Sequence, residues 1–231
     1  VYFEFPEKSL KGLRLRAMWR LFWFCRKEQF DVVICNRFKP VNMMLQLNRW
    51  LKIPLCIGIS HGFGEYDRFY RRRQAQGRID KHWRFVGVSP AVKQYLIDCD
   101  CGFTDENTYA ITNAIDIEQA EGLQYAREQA RQLLGLDPSV RLVGALGRLV
   151  PVKGHTYLLQ AFAALKDKYP NAQLAIIGAG REESRLRCEI EQLGLIGRAH
   201  LLGFRENALQ YVRAFDIWTM PSLAEGLGLA L

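Results

Sequence analysis

Short apolar runs alternate with helix-period stretches along the whole chain, and this alternation constrains the fold more than any other feature. From residue 140 the spacing predicts a strand to Leu146, a helix from His155 to Tyr169, a strand Leu174–Ile177, a helix Arg181–Leu193, a strand His200–Leu202, a helix Glu206–Phe215 and a strand Ile217–Met220. The earlier residues repeat the order, with expected strands at Val1–Phe5, Val32–Cys35, Leu55–Ile59, Phe85–Val88 and Thr108–Thr112, and expected helices at Ser9–Phe30 and Pro40–Leu51. Ser89-Pro90 reads as an N-cap followed by proline at the first helical position. Such a pattern predicts an α/β protein with parallel, Rossmann-like sheets covered on both faces. A polar Gln- and Glu-rich helix over Asp116–Leu134, closed by Gly135 and Pro138, reads as the hinge between two units, residues 1–112 and 113–231. At 231 residues and 49% hydrophobic, the chain can fill two such cores.

One connection stands out chemically. Gly147-Arg148-Leu149-Val150-Pro151-Val152-Lys153-Gly154 leaves a buried strand and enters a helix. A loop of this kind collects free backbone N–H groups and the positive end of a helix dipole, and here Arg148 and Lys153 add two cations. A polyanion such as a diphosphate suits it; the plainer alternative is two solvated charges on a glycine-shaped turn. Gly178-Ala179-Gly180 is a weak dinucleotide signal because Glu183 stands where a third glycine belongs, but Gly180 would still let a ligand approach the backbone closely.

The formal charge of +8 is unevenly placed: residues 1–110 hold 19 Lys+Arg against 11 Asp+Glu, and the remainder hold 13 against 13. A one-sided basic balance fits nucleic acid, anionic lipid or an anionic substrate, and no nucleic-acid-binding signature accompanies it. In the expected helix at Ser9–Phe30, cations and large aromatics alternate as in helices that lie on anionic membranes, although a core-packed helix with arginine stems on its rim explains the pattern too. The arginine-dense segment Tyr66–Lys81 reads either as a solvated helix face or as a surface for an anionic acceptor. His61, between a strand end and the glycines Gly62 and Gly64, is either a surface histidine or a ligand-facing one, since ligands bind at that edge of α/β sheets. The six cysteines show no metal-ligand spacing and read as reduced packing residues of a cytosolic protein. No signal peptide or run of about 18 apolar residues is present. The chain starts at Val1, and Leu227–Leu231 run out in what reads as a helix, so both ends look cut.

The closing run Pro221-Ser222-Leu223-Ala224-Glu225-Gly226-Leu227-Gly228-Leu229, taken with the Gly147–Gly154 loop, Ile176-Ile177-Gly178-Ala179-Gly180, Leu201-Leu202-Gly203-Phe204-Arg205 and Ala214-Phe215-Asp216, resembles the retaining glycosyltransferases of family four, also called group 1. In the first half, His61-Gly62 and Val88-Ser89 match weaker features of that family. The resemblance implies a GT-B fold of two Rossmann-like domains facing a cleft, both incomplete at the chain ends, with the acceptor side first and the nucleotide-sugar side second. It implies that Arg148 and Lys153 bind the donor diphosphate, that Glu225 holds the transferred sugar and opens a Glu-x7-Glu motif, and that His61 acts across the cleft. Gly180, Phe204 and Arg205 join the expected substrate-binding set. The second glutamate of the motif would be residue 233, past Leu231, so the chain is expected to be an internal piece of a longer enzyme and nearly inactive by itself.

The chemistry supports those residue types independently. Breaking a sugar–phosphate bond leaves a diphosphate of growing negative charge beside a sugar with oxocarbenium character, which calls for fixed cations at one and a carboxylate at the other. With two cations present and no carboxylate cluster, no metal and no other cofactor is expected. The expected partners are a nucleotide-sugar donor, a saccharide or lipid-linked acceptor of lipopolysaccharide or other cell-surface glycan assembly, and an anionic membrane surface, with no nucleic acid. The expected location is cytoplasmic, peripheral on the inner face of the membrane. Two rival readings share the pattern: a non-catalytic nucleotide-binding, membrane-associated scaffold, and a GT-B nucleotide-sugar epimerase.

Overall fold

A computed structural model of the chain describes Phe3, Gly12 and residues 14–228. The expected strand at Val1–Phe5, the start of the expected Ser9–Phe30 helix and Leu229–Leu231 lie outside the described residues, while Leu227 and Gly228 carry no helix. The chain forms two compact units, Val1–Asn113 and Ala114–Leu231, each built on a four-stranded, wholly parallel sheet.

In the first unit α1 (Leu15–Glu28) and α2 (Phe38–Leu51) flank β1 (Val32–Asn36), followed by β2 (Leu55–Ser60), α3 (Phe69–Ala75), β3 (Trp83–Gly87), α4 (Pro90–Asp98) and β4 (Thr108–Ala110). The sheet order is β1-β2-β3-β4. Its core joins Cys35, Met44, Leu45, Cys56, Trp83, Phe85, Leu96 and Phe103. Ser89 caps α4 as its sequence position requires, accepting from the Val92 N–H at 3.2 Å with proline in the first turn. Of the arginine-rich 66–81 segment only Phe69–Ala75 is helical.

The second unit runs α5 (Ile117–Gly122), α6 (Arg127–Leu134), β5 (Arg141–Leu146), α7 (His155–Leu165), β6 (Ala172–Ile177), α8 (Glu183–Gln192), β7 (Ala199–Leu201) and β8 (Ile217–Thr219). Its strands alternate between two cores, as a sheet covered on both faces must. Leu174 and Ile176 meet Leu159, Phe162, Leu186 and Ile190 of α7 and α8, while Ala175 and Ile177 meet Ala130 and Leu134 of α6 and Phe215.

Two expectations need correction. The helix expected over Asp116–Leu134 is two helices, α5 capped by the Asp116 carboxylate and α6 closed by Gly135 at φ 67°. In the break the Tyr125 N–H bonds the Gln210 carbonyl at 2.9 Å and its ring packs on Tyr211, contacts a continuous helix would forgo. The helix expected over Glu206–Phe215 is instead a 3-10 helix, Ala208–Ala214, entered through Asn207 in the left-handed region.

The strands of the second sheet lie in the order β7-β6-β5-β8. The chain steps from β5 outward through β6 to β7, then returns to place β8 on the other side of β5. The topological switch point therefore lies between β5 and β8, and ligands of open α/β sheets bind outside the carboxyl ends of the strands at such a point.

Candidate active site

The loops leaving β5 and β8 meet at the switch point. After Leu146 the chain bends at Gly147, makes a 3-10 turn over Pro151–Lys153 and enters α7 through Gly154, which has φ 67° and no side-chain cap. The first N–H groups of α7 thus keep no side-chain partner at the cap, the condition that favours an anion. The loop after β8 is tied to this turn, the Leu223 N–H donating to the Val152 carbonyl at 2.8 Å. Gly154 makes the approach possible, since a Cβ there would stand 1.9 Å from the Pro221 carbonyl oxygen.

This contact carries two of the expected residues together. The Lys153 ammonium donates to the Glu225 carboxylate, and both side chains are about three-quarters buried, at 23% and 25% exposed. Burial would raise the Glu225 carboxyl, but the bond from Lys153 and the charges of Lys153 and Arg148 hold it below the ordinary glutamate range. Arg148 is exposed and lines, with Lys153 and Gly147, a cavity of ≈ 820 Å³ whose other wall is Asp116, Gln119 and Leu123 of the α5 region and Asn207–Gln210. Lys153 and Glu225 thus share a partly dried corner, with the charge of the exposed Arg148 close enough to act on the carboxylate.

The remaining expected residues sit around this corner or away from it. Gly180 packs on the β5 loop, a Cβ there standing 2.3 Å from the Leu149 carbonyl oxygen, so close loop packing is its first requirement. Phe204, 72% exposed, and Arg205 follow β7, in a loop tied to Gly178 by its N–H to the Gly203 carbonyl at 2.9 Å, and neither lines the ≈ 820 Å³ cavity. His61 belongs to the first unit, exposed at the carboxyl end of β2, where its Nε2 lies 3.1 Å from Asn36 Oδ1.

Two residues that sequence reasoning missed support these loops from beneath. His155 opens α7, 3% exposed, with its ring beside the backbone of Gly147 and Arg148 but with neither ring nitrogen in good hydrogen-bond geometry. Burial pushes its pKa below the ordinary histidine value, and the Lys153 charge adds to that against the Arg148 and Gly147 backbone. The other is Arg131 on α6, fully buried. Its guanidinium donates to the carbonyls of Ala214 (2.8 Å), Pro138 (2.7 Å) and Val140 (3.0 Å), and to Asp216 at 2.8 Å. Asp216 also accepts from the Leu142 N–H at 2.7 Å and from Arg127, so one ion cluster fixes the starts of β5 and β8 and with them the loops at their far ends.

The histidine has a measurable consequence. A folded-state pKa below the unfolded value of about 6.5 means that the unfolded chain takes up the proton first. The stability is therefore present above that pH and is lost as the pH falls through the lower folded value. Thermal unfolding should show a falling midpoint from pH 7.5 to pH 5.5, with a flatter decline in His155→Asn and a remainder due to His200, whose burial lowers it too. An unchanged slope in His155→Asn would show that the ring's protonation is not coupled to folding.

Comparison with known proteins bears on the same segments. The family model described as Glycosyltransferase Family 4 matches residues 1–119, and that described as Glycosyl transferases group 1 matches residues 126–231. The D-inositol 3-phosphate glycosyltransferase of Corynebacterium urealyticum is 34% identical over 129 residues, 52% of this chain and 30% of that protein. The UDP-Gal:alpha-D-GlcNAc-diphosphoundecaprenol alpha-1,3-galactosyltransferase of Escherichia coli is 21% identical over 229 residues, 94% of this chain and 58% of that protein. Among solved structures, Anabaena Alr3699/HepE in complex with UDP superposes with a TM-score of 0.74 at 21% identity, covering 90% of this chain and 57% of that one, and shows the fold. The chain spans less than two thirds of the length of each of these proteins.

Proposed function

The chain belongs to glycosyltransferase family 4, the group 1 glycosyltransferases, and on that premise we propose that it moves a sugar with retention of anomeric configuration from a nucleoside-diphosphate donor to a saccharide acceptor. The observation that carries the reading is the meeting of Arg148, Lys153 and Glu225 at the switch point of the second sheet. As the bond from sugar to diphosphate breaks, the departing oxygens gain charge, and cations held in a partly dried corner stabilise that charge more than they stabilise the intact donor. Glu225 accepts hydrogen bonds from the hydroxyls of the transferred sugar, exchanging part of its bond to Lys153 for them. The Lys153–Glu225 pair thus keeps its two charges matched until the donor separates them. Gly180, Phe204 and Arg205, which lie outside the cavity that Arg148 and Lys153 line, are assigned to the nucleotide, and His61 of the first unit to the acceptor, by the family resemblance alone.

UDP bound to the Anabaena protein and the UDP-Gal of the E. coli enzyme's name favour a uridine donor, and that name favours a lipid-linked saccharide acceptor, as in cell-surface glycan assembly. A cytoplasmic location fits the cysteines, which are free in the six described positions and buried in five. The test is transfer itself. With UDP-hexoses and a polyprenyl-diphosphate-linked saccharide, the enzyme should release UDP and give a product whose new linkage keeps the donor's anomeric configuration by NMR. Conversion of the donor without an acceptor would make it an epimerase, and binding without turnover in the full-length protein would make it a scaffold.

A further inference from the structure

Among the described residues, three of the chain's five tryptophans crowd one face of the first unit. On α1, Leu15, Trp19 and Trp23 recur every four residues and are 69%, 65% and 53% exposed, while Ala17 and Cys25 are buried and Met18, Leu21 and Phe24 pack on the core. Trp50, at the end of α2, is 63% exposed and shares with Trp19 a groove of ≈ 540 Å³ lined by Met18, Phe22, Arg26 and Leu47. The helix therefore has two apolar faces, one used by the core and one turned to solvent, a division that sequence periodicity alone does not resolve. Large aromatics held in water cost free energy, and a contiguous set of them marks an interaction surface.

Charge narrows the partner. Arg16, Arg26 and Lys27 on α1, Arg49 on α2 and Lys52 after it are exposed around the aromatic stripe, and the two helices contain one acidic residue, Glu28. We propose that this face docks on an anionic phospholipid bilayer, with Trp19, Trp23 and Trp50 seated among the headgroups and the cations against the lipid phosphates. Tryptophan suits that zone because its ring is apolar while its indole N–H still bonds water and headgroups. A second copy of the chain would bring the same cations face to face, so self-association is disfavoured by like charge. The proposal stands apart from the donor site, which lies in the second unit, and either can fail without the other.

The experiment is co-sedimentation of the chain with vesicles of phosphatidylcholine alone and of phosphatidylcholine containing phosphatidylglycerol. The chain should pellet with the anionic vesicles, stay in the supernatant with the neutral ones, and be released by salt. Neutralising Arg16, Lys27 or Arg49 to glutamine should lower the partition about fivefold each. Trp19→Ser with Trp23→Ser should lower it by about tenfold or more; the melting curve should be unchanged, since both rings are exposed. Brominated lipid should quench the fluorescence of the parent protein and not that of the variant with phenylalanine at 19, 23 and 50. Equal recovery with both lipids, unchanged binding of the serine variant, or a dimer in sedimentation velocity that this variant abolishes would each overturn the proposal, the last by giving the face to a second copy.

Discussion

Lys153→Ala should lower the turnover of the enzyme by about a hundredfold or more, a loss of roughly 2.7 to 4 kcal/mol of transition-state stabilisation. In the proposed reaction the ammonium would face the charge that gathers on the leaving diphosphate, from a side chain about three-quarters buried. Its interaction strengthens as the sugar–phosphate bond lengthens, so kcat should fall further than KM rises. Arg148→Ala should act in the same direction, and because Arg148 is exposed its loss should disturb the fold little. Removing Lys153 also leaves Glu225 without its ion-pair partner, so the thermal midpoint of each variant must be measured alongside. Lys153→Arg should recover part of the rate by restoring charge, and near-normal turnover of Lys153→Ala would leave the cation no part in leaving-group stabilisation.

The largest expected effect on stability lies at Arg131. Its side chain is wholly buried, and three backbone carbonyls and the Asp216 carboxylate depend on it. Burial would raise the Asp216 carboxyl, but the Leu142 N–H and the guanidinium groups of Arg127 and Arg131 hold it down to about 2. Arg131→Ala leaves that carboxylate half-orphaned and opens a void, and breaking such a pair costs on the order of 3 to 5 kcal/mol. Urea unfolding should show an unfolding free energy lower by that amount, with the second unit losing cooperativity first. A change below about 1 kcal/mol, the ordinary scale of a surface ion pair, would show that the cluster does not hold β5 and β8 together. Acid sets the complementary limit: with the folded carboxyl near 2, the contribution of Asp216 is present above the unfolded value of about 3.9 and is lost as the pH falls through the folded one.

Local chemistry was legible in the sequence and long-range order was not. The strand, turn and helix around Gly147–Gly154, the Ser89 cap and the Gly135 stop follow from residue types a few positions apart. The meeting of Lys153 with Glu225, 72 residues apart, depends on β8 pairing beside β5, and no periodicity encodes a strand order. Comparable separations hid the break at Tyr125, whose backbone partner is Gln210, and the buried place of Arg131, whose anion is Asp216, 85 residues away. A signal for Arg131 does exist, because it stands between Ala130 and Leu134 on the apolar side of α6, where a cation needs a buried partner. His155 carries less: a histidine after Lys153-Gly154 marks the helix start, and only the fold reveals that its ring turns inward.

The most direct test of a diphosphate site at the switch point is an NMR titration of the isotopically labelled chain with UDP, with uridine as the control. The expected result is a set of shifts at the backbone amides of Gly147–Thr156 and of Glu225 with UDP, absent with uridine, and lost in Arg148→Ala and Lys153→Ala. Equal shifts with UDP and uridine, or a UDP footprint on other strands' ends that both variants leave intact, would contradict it.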